Sequence, residues 1–546
     1  MIEDYVTKHG EQFLDDFLIP WLEIPSVSSD ASRNADSRRA AEFLRDELES
    51  SGLEVQVIEQ QEGSNPIVYA EKIVDSSLPT VLVYGHYDVQ PINKPSEWKV
   101  DGTELNPFQP TRIGDRLYAR GATDDKGQVA AHVLAMRYFA EHDLPCNIKF
   151  VIESNEEGGK ASISKFVKDN ADLLAADAIL ISDSGTFVEG YPTITTNLKG
   201  VVVAGLESTN LDDIIAVLHQ SHDPVDNRTL IDSFYDGIVE GTIPAETERD
   251  YGAPEANMGW TKPETYYTQL AHRWYRPTNS PLFLEYANPT PAGNGKTVKL
   301  TAHGPKKALH SGSYGGPVQE PALVLAHVLS DLSAEATVDY ITYGSRTLST
   351  SIQPTGEAQI NCVKGLDVEA KIKGILESYR LDTGLITVEE VEDRRAYLSI
   401  FSKEAYRPTA YLSYRVVSGQ DAETVMDNLE DFVTTEAPEA EFTRFHTGNA
   451  IKIDTDNPYH GAVVAGLQMG YGTEGVHLMS EGGSIPIVST LADTLNAPVI
   501  LAGFSSPTDN LHAPNESILV ETGILAGARS MMYALQEIGK IQLINS

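Results

Sequence analysis

Three short apolar runs, LPTVLVYG (78–85), IKFVIES (148–154) and AILISD (178–183), constrain this chain more than any other feature. They have strand length, and the helical patterns GQVAAHVLAMRYFAE (127–141) and SISKFVKDNADLL (162–174) lie between them. Continuous rather than alternating apolar character means burial on both faces, so the order predicts a mostly parallel sheet flanked by helices. An amphipathic helix over roughly 3–22, a loop through Ile24, Pro25, Ser26 and Val27, and a second helix near 34–51 precede the first run.

Residues 201–441 change character: strand-like VKLTA and AYLSYRVV and the helical VQEPALVLAHVLSDL and VEAKIKGILESY stand among long Pro/Gly/Asn-rich stretches. After 442 the first pattern returns with a helix near 460–469, SIPIVSTLADTL, the strand PVILAGF and a closing helix, ETGILAGARSMMYALQEIG. The expected organisation is an α/β domain built from 1–200 and 442–546, with an α+β domain, 201–441, inserted in it.

Charge and cysteine content remove several function classes. Asp and Glu number 79 against 41 Lys and Arg, a formal net charge of −38, so phosphate backbones and anionic membranes are repelled. Cys146 and Cys362 form neither a disulfide framework nor a paired metal spacing, and both are expected to be buried. The first residues carry no basic stretch followed by an apolar one, and no apolar run of about 18 residues occurs. The expectation is a cytoplasmic protein without membrane or nucleic-acid partners.

In an open α/β sheet, ligands bind beyond the carboxyl ends of the strands. His86-Tyr87-Asp88 follow the first run, Asn155-Glu156-Glu157 the second, Asp183 ends the third, and Asp509, Asn510 and His512 follow PVILAGF. Asp124-Asp125 precede a helix start, where one carboxylate is an ordinary cap. Imidazole and carboxylate without thiolate suit zinc, manganese or cobalt in a hydrolytic site. Two divalent cations against Asp124, Glu157 and Asp183 leave a formal +1, which one hydroxide neutralises. His86 and Asp88 share a face on an extended strand, so Asp88 is placed to orient the imidazole. Adjacent Glu156 and Glu157 point apart, letting one ligate metal and the other act as general base.

The segments YGHYDVQP (84–91), LYARGATDDKG (117–127), ESNEEGG (153–159), LISDS (180–184), ALHSGSYGG (308–316), SEGGSIP (480–486) and the late His512 resemble the dinuclear metallopeptidases that include carnosinase and cytosolic non-specific dipeptidase, with aminoacylase and glutamate carboxypeptidase as relatives. The resemblance implies a zinc-exopeptidase-like catalytic domain with an inserted lid and dimerisation domain. It places His86 and Asp183 on one divalent ion, Glu157 and His512 on a second, and Asp124 between the two. Zinc is the first choice of metal, then manganese or cobalt. Glu156 is then the general base, Asp88 the partner of His86, and the Asp124-Asp125 peptide is cis. His310 in ALHSG is implied to stabilise the oxyanion from a partner subunit, hence a homodimer through the inserted domain. Arg415 is implied to pair with a substrate carboxylate. Backbone N–H groups of Gly483 and Ser484, with Glu481 alongside, offer a second place for a terminal carboxylate.

Two departures stand out. The loop INKPSEWKVDGTELNPF is enlarged, and its Trp98 and Phe108 are expected to shape a cleft rim. About a hundred residues separate NLKG from ALHSG, including DNRTLIDSFYDGI and HRWYRPTNSPLFLEYANPT, which leaves the lid and the Arg415 assignment open. The expected activity is metal-dependent hydrolysis of dipeptides or short peptides with a free carboxylate. The alternatives are an N-acyl-amino-acid amidohydrolase and a catalytically silent scaffold of the same fold.

Overall fold

The computed structural model describes residues 1–60, 65–92, 95–157, 162–208, 217, 278–288, 297–305, 309–310, 321–334, 338–344, 351–352, 355–362, 365–379, 381–390, 409–416, 420–481, 485 and 487–542. The chain divides into two compact units, Met1–Leu198 with Ile451–Glu481 and Ile485–Ser546, and Lys199–Ala450 with Gly482–Ser484.

The first unit is built on one sheet. Its strands are β1 (Glu54–Ile58), β2 (Ile67–Lys72), β3 (Thr80–His86), β4 (Asn147–Glu153), β5 (Ala178–Ile181), β6 (Thr193–Leu198), β7 (Ile451–Lys452), β8 (His477–Glu481) and β9 (Val499–Leu501). They lie in the order β1-β2-β4-β3-β5-β9-β6-β7, with β8 paired to β6. The three apolar runs form β4, β3 and β5 at the centre, and with β9 they pair in parallel. Towards the edges β1, β2, β6 and β7 join antiparallel ladders, so the whole sheet is mixed.

Alternation along each central strand explains the unbroken apolar runs. Val81, Val83, Ala178 and Leu180 enter one core, Leu82, Tyr84, Ile179 and Ile181 the other. The first core also holds helices α1 (Asn34–Ser50), α2 (Lys126–Glu141), α3 (Pro458–Tyr471) and α4 (Ala526–Ile538). α3 and α4 approach closely because Gly466 faces Ala534, where a Cβ would lie 2.5 Å from the Ala534 nitrogen. The helix expected over 3–22 is interrupted: Ile2–Phe13 is followed by a widened turn at Leu14–Leu18 and a last turn at Ile19–Leu22. Pro20, without an N–H, stands where the chain changes its turn.

α2 is buried on nearly every side and carries His132, whose Nε2 lies 2.7 Å from Ser182 Oγ. Burial pushes the His132 imidazole down to about 3, so the folded chain keeps it neutral where an unfolded chain protonates it. The stability this confers is complete above an unfolded value near 6.5 and is lost as pH falls from there toward 3. At pH 5 the expected loss is about 2 kcal/mol. Melting of the parent and of His132→Gln at pH 7 and pH 5 checks it; equal acid sensitivity in the two rules it out.

The second unit holds an eight-stranded antiparallel sheet among the described residues, in the order Ile386–Glu390, Thr297–His303, Thr355–Cys362, Val338–Gly344, Thr278–Asn288, Thr409–Val416, Gly200–Glu207 and Glu441–Gly448. Helices Pro321–Ala334, Val368–Ser378 and Ala422–Glu436 share its apolar core through Leu325, Leu329, Ile372, Met426 and Val433. This is an α+β unit. Among the described residues no helix is long and apolar enough to cross a membrane. Cys146 is buried, and the side chain of Cys362 lies outside the described set.

Candidate metal centre

The parallel strands deliver their polar ends to one place. His86 is the last residue of β3, Asp183 lies two residues beyond β5, and Glu156 and Glu157 lie just beyond β4. Asp124 comes from the loop before α2. His512 comes from the far end of the chain, in a left-handed backbone conformation with φ of 57°. A three-stranded sheet of Thr111–Ile113, Arg116–Tyr118 and Ser517–Leu519 brings those last two loops together.

Asp124 touches both histidines. Its Oδ1 is 3.1 Å from His86 Nε2 and its Oδ2 is 2.9 Å from His512 Nε2. Asp183 Oδ2 lies 3.9 Å from His86 Nε2, and Glu157 Oε2 lies 3.4 Å from His512 Nε2. Two ligands at about 2.1 Å from a tetrahedral zinc stand about 3.4 Å apart, the same scale. Two groups of donors result, each with its atoms within 4.8 Å of one another: His86, Asp125 and Asp183, and Asp124, Glu157 and His512.

Sequence reasoning missed Asp125. It treats an aspartate before a helix as an ordinary cap, yet Asp125 makes no side-chain cap hydrogen bond to α2. Its Oδ2 instead accepts the His86 N–H at 3.2 Å, and its Oδ1 makes no hydrogen bond. The Asp124-Asp125 peptide is cis.

Asp88 departs in detail from its expected contact. His86 Nδ1 lies 3.0 Å from the Asp88 main-chain oxygen and 3.5 Å from the carboxylate. A proton on Nδ1, donated to that carbonyl, leaves the Nε2 lone pair for a cation. The carboxylate Oδ2 instead accepts Ser28 Oγ–H at 2.5 Å and the Glu157 N–H at 3.0 Å, so Asp88 braces residues of both donor groups. Gln90 Nε2 donates to Glu157 Oε2 at 2.7 Å, while Glu157 Oε1 makes no hydrogen bond.

The electrostatics show an excess of negative charge. Burial works against Asp124, but the two imidazoles overcome it and hold its carboxyl well below the ordinary range. Burial likewise opposes charge on His512, which Glu157 and Asp124 nonetheless push up to about 10. His86 is raised in the same way, against burial, by Asp124, Asp88 and Asp183. Asp183 rises to about 7 through burial and then the charges of Asp124 and Glu157, with the histidines pulling the other way. Glu156 is raised by desolvation first, with Glu157, Asp183 and Asp124 adding to it against His86. Such a cluster draws protons onto its imidazoles. Divalent cations meet the same demand, and the hydrogen-bond-free buried oxygens of Asp125 and Glu157 supply unused donors.

Among the described residues, the other expected site residues belong to neither donor group. Asp509 is buried but turned to Arg116 Nη1 at 2.7 Å and Thr123 Oγ1 at 2.9 Å, outside both donor groups. Glu481 ends β8, opposite Leu198. Arg415 is buried on the second unit's strand Thr409–Val416, opposite Val201, and His310 lies on the short strand Leu309–His310 with its side chain outside the described set. Gly483 and Ser484 lie outside the described residues, as does most of the long insert. Trp98 forms no rim: it is buried, donates Nε1–H to the Ile92 oxygen at 3.0 Å, and lies under the Arg120 guanidinium. Phe108 is half-buried.

A sequence-family model described as Peptidase family M20/M25/M40 matches residues 82–537, most of the chain. The chain belongs to this family. Among curated M20 relatives, the cysteinylglycine-S-conjugate dipeptidase of Corynebacterium striatum is 37% identical over 30% of this chain and 34% of its own. The Beta-Ala-His dipeptidase of Rattus norvegicus is 32% identical over 36% of this chain and 42% of its own. The matched stretches thus span about a third to two fifths of these relatives' length. In fold, the M20 chain is similar to human carnosine dipeptidase 1, with a TM-score of 0.63 at 18% identity over 99% of this chain and 100% of that one.

Proposed function

We propose that the chain is a two-metal dipeptidase that hydrolyses the amide bond of dipeptides or short peptides with a free carboxylate. The observation that carries this reading is the Asp124 carboxylate, with one oxygen against His86 and the other against His512, between two donor groups free of thiolate. M20 membership and the dipeptidase names of the relatives support the substrate class. His86, Asp183, Glu157 and His512 would hold the two ions with Asp124 shared, and Asp125 is a further donor beside His86.

Two divalent ions so held supply Lewis acidity toward a substrate carbonyl and toward water, zinc being the first choice for nitrogen and carboxylate donors. The chain's own residues do the rest. Glu156 accepts the proton of the attacking water and returns it to the departing amine nitrogen. Asp88 and Gln90 keep Glu157 turned to its neighbours. Roles for His310 at the oxyanion, in a homodimer, and for Arg415, Glu481, Gly483 and Ser484 toward a substrate carboxylate are proposals from the sequence. So is a cytoplasmic location.

Metal analysis of the purified chain, followed by release assays on dipeptides, longer peptides and N-acyl amino acids, tests the reading. The expected result is two equivalents of divalent metal and release from dipeptides. Chelator should abolish the activity and added zinc or manganese restore it. Turnover of N-acyl amino acids alone makes the chain a deacylase; a fully loaded chain idle on every substrate is a silent scaffold.

A further inference from the structure

Beside the donor groups lies a buried carboxylate that the proposed chemistry does not use. Glu516 has no exposed surface, and Arg120, its partner, is 1% exposed. Arg120 Nη1 donates to Glu516 Oε2 at 2.6 Å, and Nη2 donates to the Pro91 oxygen at 3.0 Å. The other oxygen, Oε1, takes different partners. It accepts the main-chain N–H of Thr123 at 3.0 Å and that of Asp124 at 3.1 Å. Two N–H groups converging on one anionic oxygen fix the direction of the peptide planes at Asp124.

The same residue ties down the other loop. The Ala119 N–H donates to the Glu516 main-chain oxygen at 3.1 Å, and Ser517 opens the strand that pairs with Arg116–Tyr118. His512 lies four residues before Glu516, in a segment where Asn510 Nδ2 donates to the Asn515 oxygen and the Ser517 N–H donates to the Asp509 oxygen. Glu516 is therefore one fastening, beside the Thr123–Asp509 hydrogen bond, between the loop carrying Asp124 and the loop carrying His512, 392 residues away in sequence from the aspartate it holds.

We infer that Glu516 is a positioning residue whose side chain aims the Asp124 carboxylate between His86 and His512. The inference rests on the two-metal reading above. An ordinary role as counter-ion to Arg120 is the competing account, and the two differ in what Oε1 does. On the counter-ion account only charge balance matters. On the positioning account the acceptor for two N–H groups matters, because a shared ligand displaced by about 0.5 Å no longer serves both ions.

Two charge-balanced double variants separate these accounts. R120M/E516Q removes both charges but keeps a carbonyl acceptor toward Thr123 and Asp124; R120M/E516M removes the acceptor as well. Competition between each full-length chain and a chelator, for zinc alone, measures the affinity of both sites, and melting of the metal-free chains reports the fold. The expected result is affinity within tenfold of the parent for R120M/E516Q and a loss of about 10- to 100-fold for R120M/E516M. E516D, which keeps the charge and withdraws the acceptor by one methylene, is expected to lose affinity too and serves if a double variant fails to fold. Equal zinc affinity in the two double variants, or parental affinity in E516D, overturns the positioning role. A parent that does not bind two zinc ions instead overturns the two-metal reading, a separate outcome.

Discussion

Glu156→Gln is expected to lower kcat on a dipeptide by about 10²- to 10⁴-fold while leaving two metal equivalents in place. Glutamine keeps the size and the hydrogen-bonding outline of glutamate but cannot take a proton from water. Glu156 belongs to neither donor group, so its replacement leaves His86, Asp125 and Asp183 on one side and Asp124, Glu157 and His512 on the other. Because the base acts in the transition state, KM is expected to change little while kcat and kcat/KM fall together. Steady-state rates beside metal content check this. Parental turnover in a fully loaded variant would remove Glu156 from the mechanism, and loss of metal would recast it as a ligand.

How much of this was legible in the sequence follows from the range over which the physics acts. The central strands were readable because β3, β4 and β5 are buried on both faces, and burial leaves unbroken apolar runs. Parallel strands then carry His86, Glu157 and Asp183 to one end, so polar residues just past those runs are natural site members. Edge ladders were not readable, since β1, β2, β6 and β7 join through pairings that no local pattern announces.

The support of the site was hidden for the same reason. Ser28 meets Asp88 across 60 residues of sequence, Gln90 meets Glu157 across 67, and Glu516 meets Asp124 across 392. Each is an ordinary polar residue when read locally. Asp125 was visible but had an adequate local explanation as a cap, which the missing cap hydrogen bond removes. Trp98 looked like a cleft residue because it sits in an enlarged loop. Its indole N–H finds the Ile92 carbonyl and its ring meets the Arg120 guanidinium, and the side chain is buried.

Asp124→Asn is expected to abolish metal-dependent stabilisation and activity together, which Glu156→Gln should not. The parent carboxylate offers one oxygen to each imidazole, at 3.1 and 2.9 Å, and its charge is held by both. An amide presents one neutral oxygen and one N–H donor, so at least one group loses an anionic ligand and meets a cation with a proton. In metal-free chains the change is itself destabilising, because it takes away the buried carboxylate that the His86 and His512 imidazoles share and leaves their charge without a partner. Excess zinc separates the two proteins. At a free concentration a hundred times the dissociation constant, a single bound ion stabilises the parent by about 2.7 kcal/mol. The variant is expected to hold neither ion at that concentration and to melt nearly as its metal-free form does, with hydrolysis reduced more than about 10³-fold. Melting with and without zinc, alongside metal stoichiometry, reads this directly. A variant that still takes up two ions and melts like loaded parent would mean that Asp124 does not join the two groups.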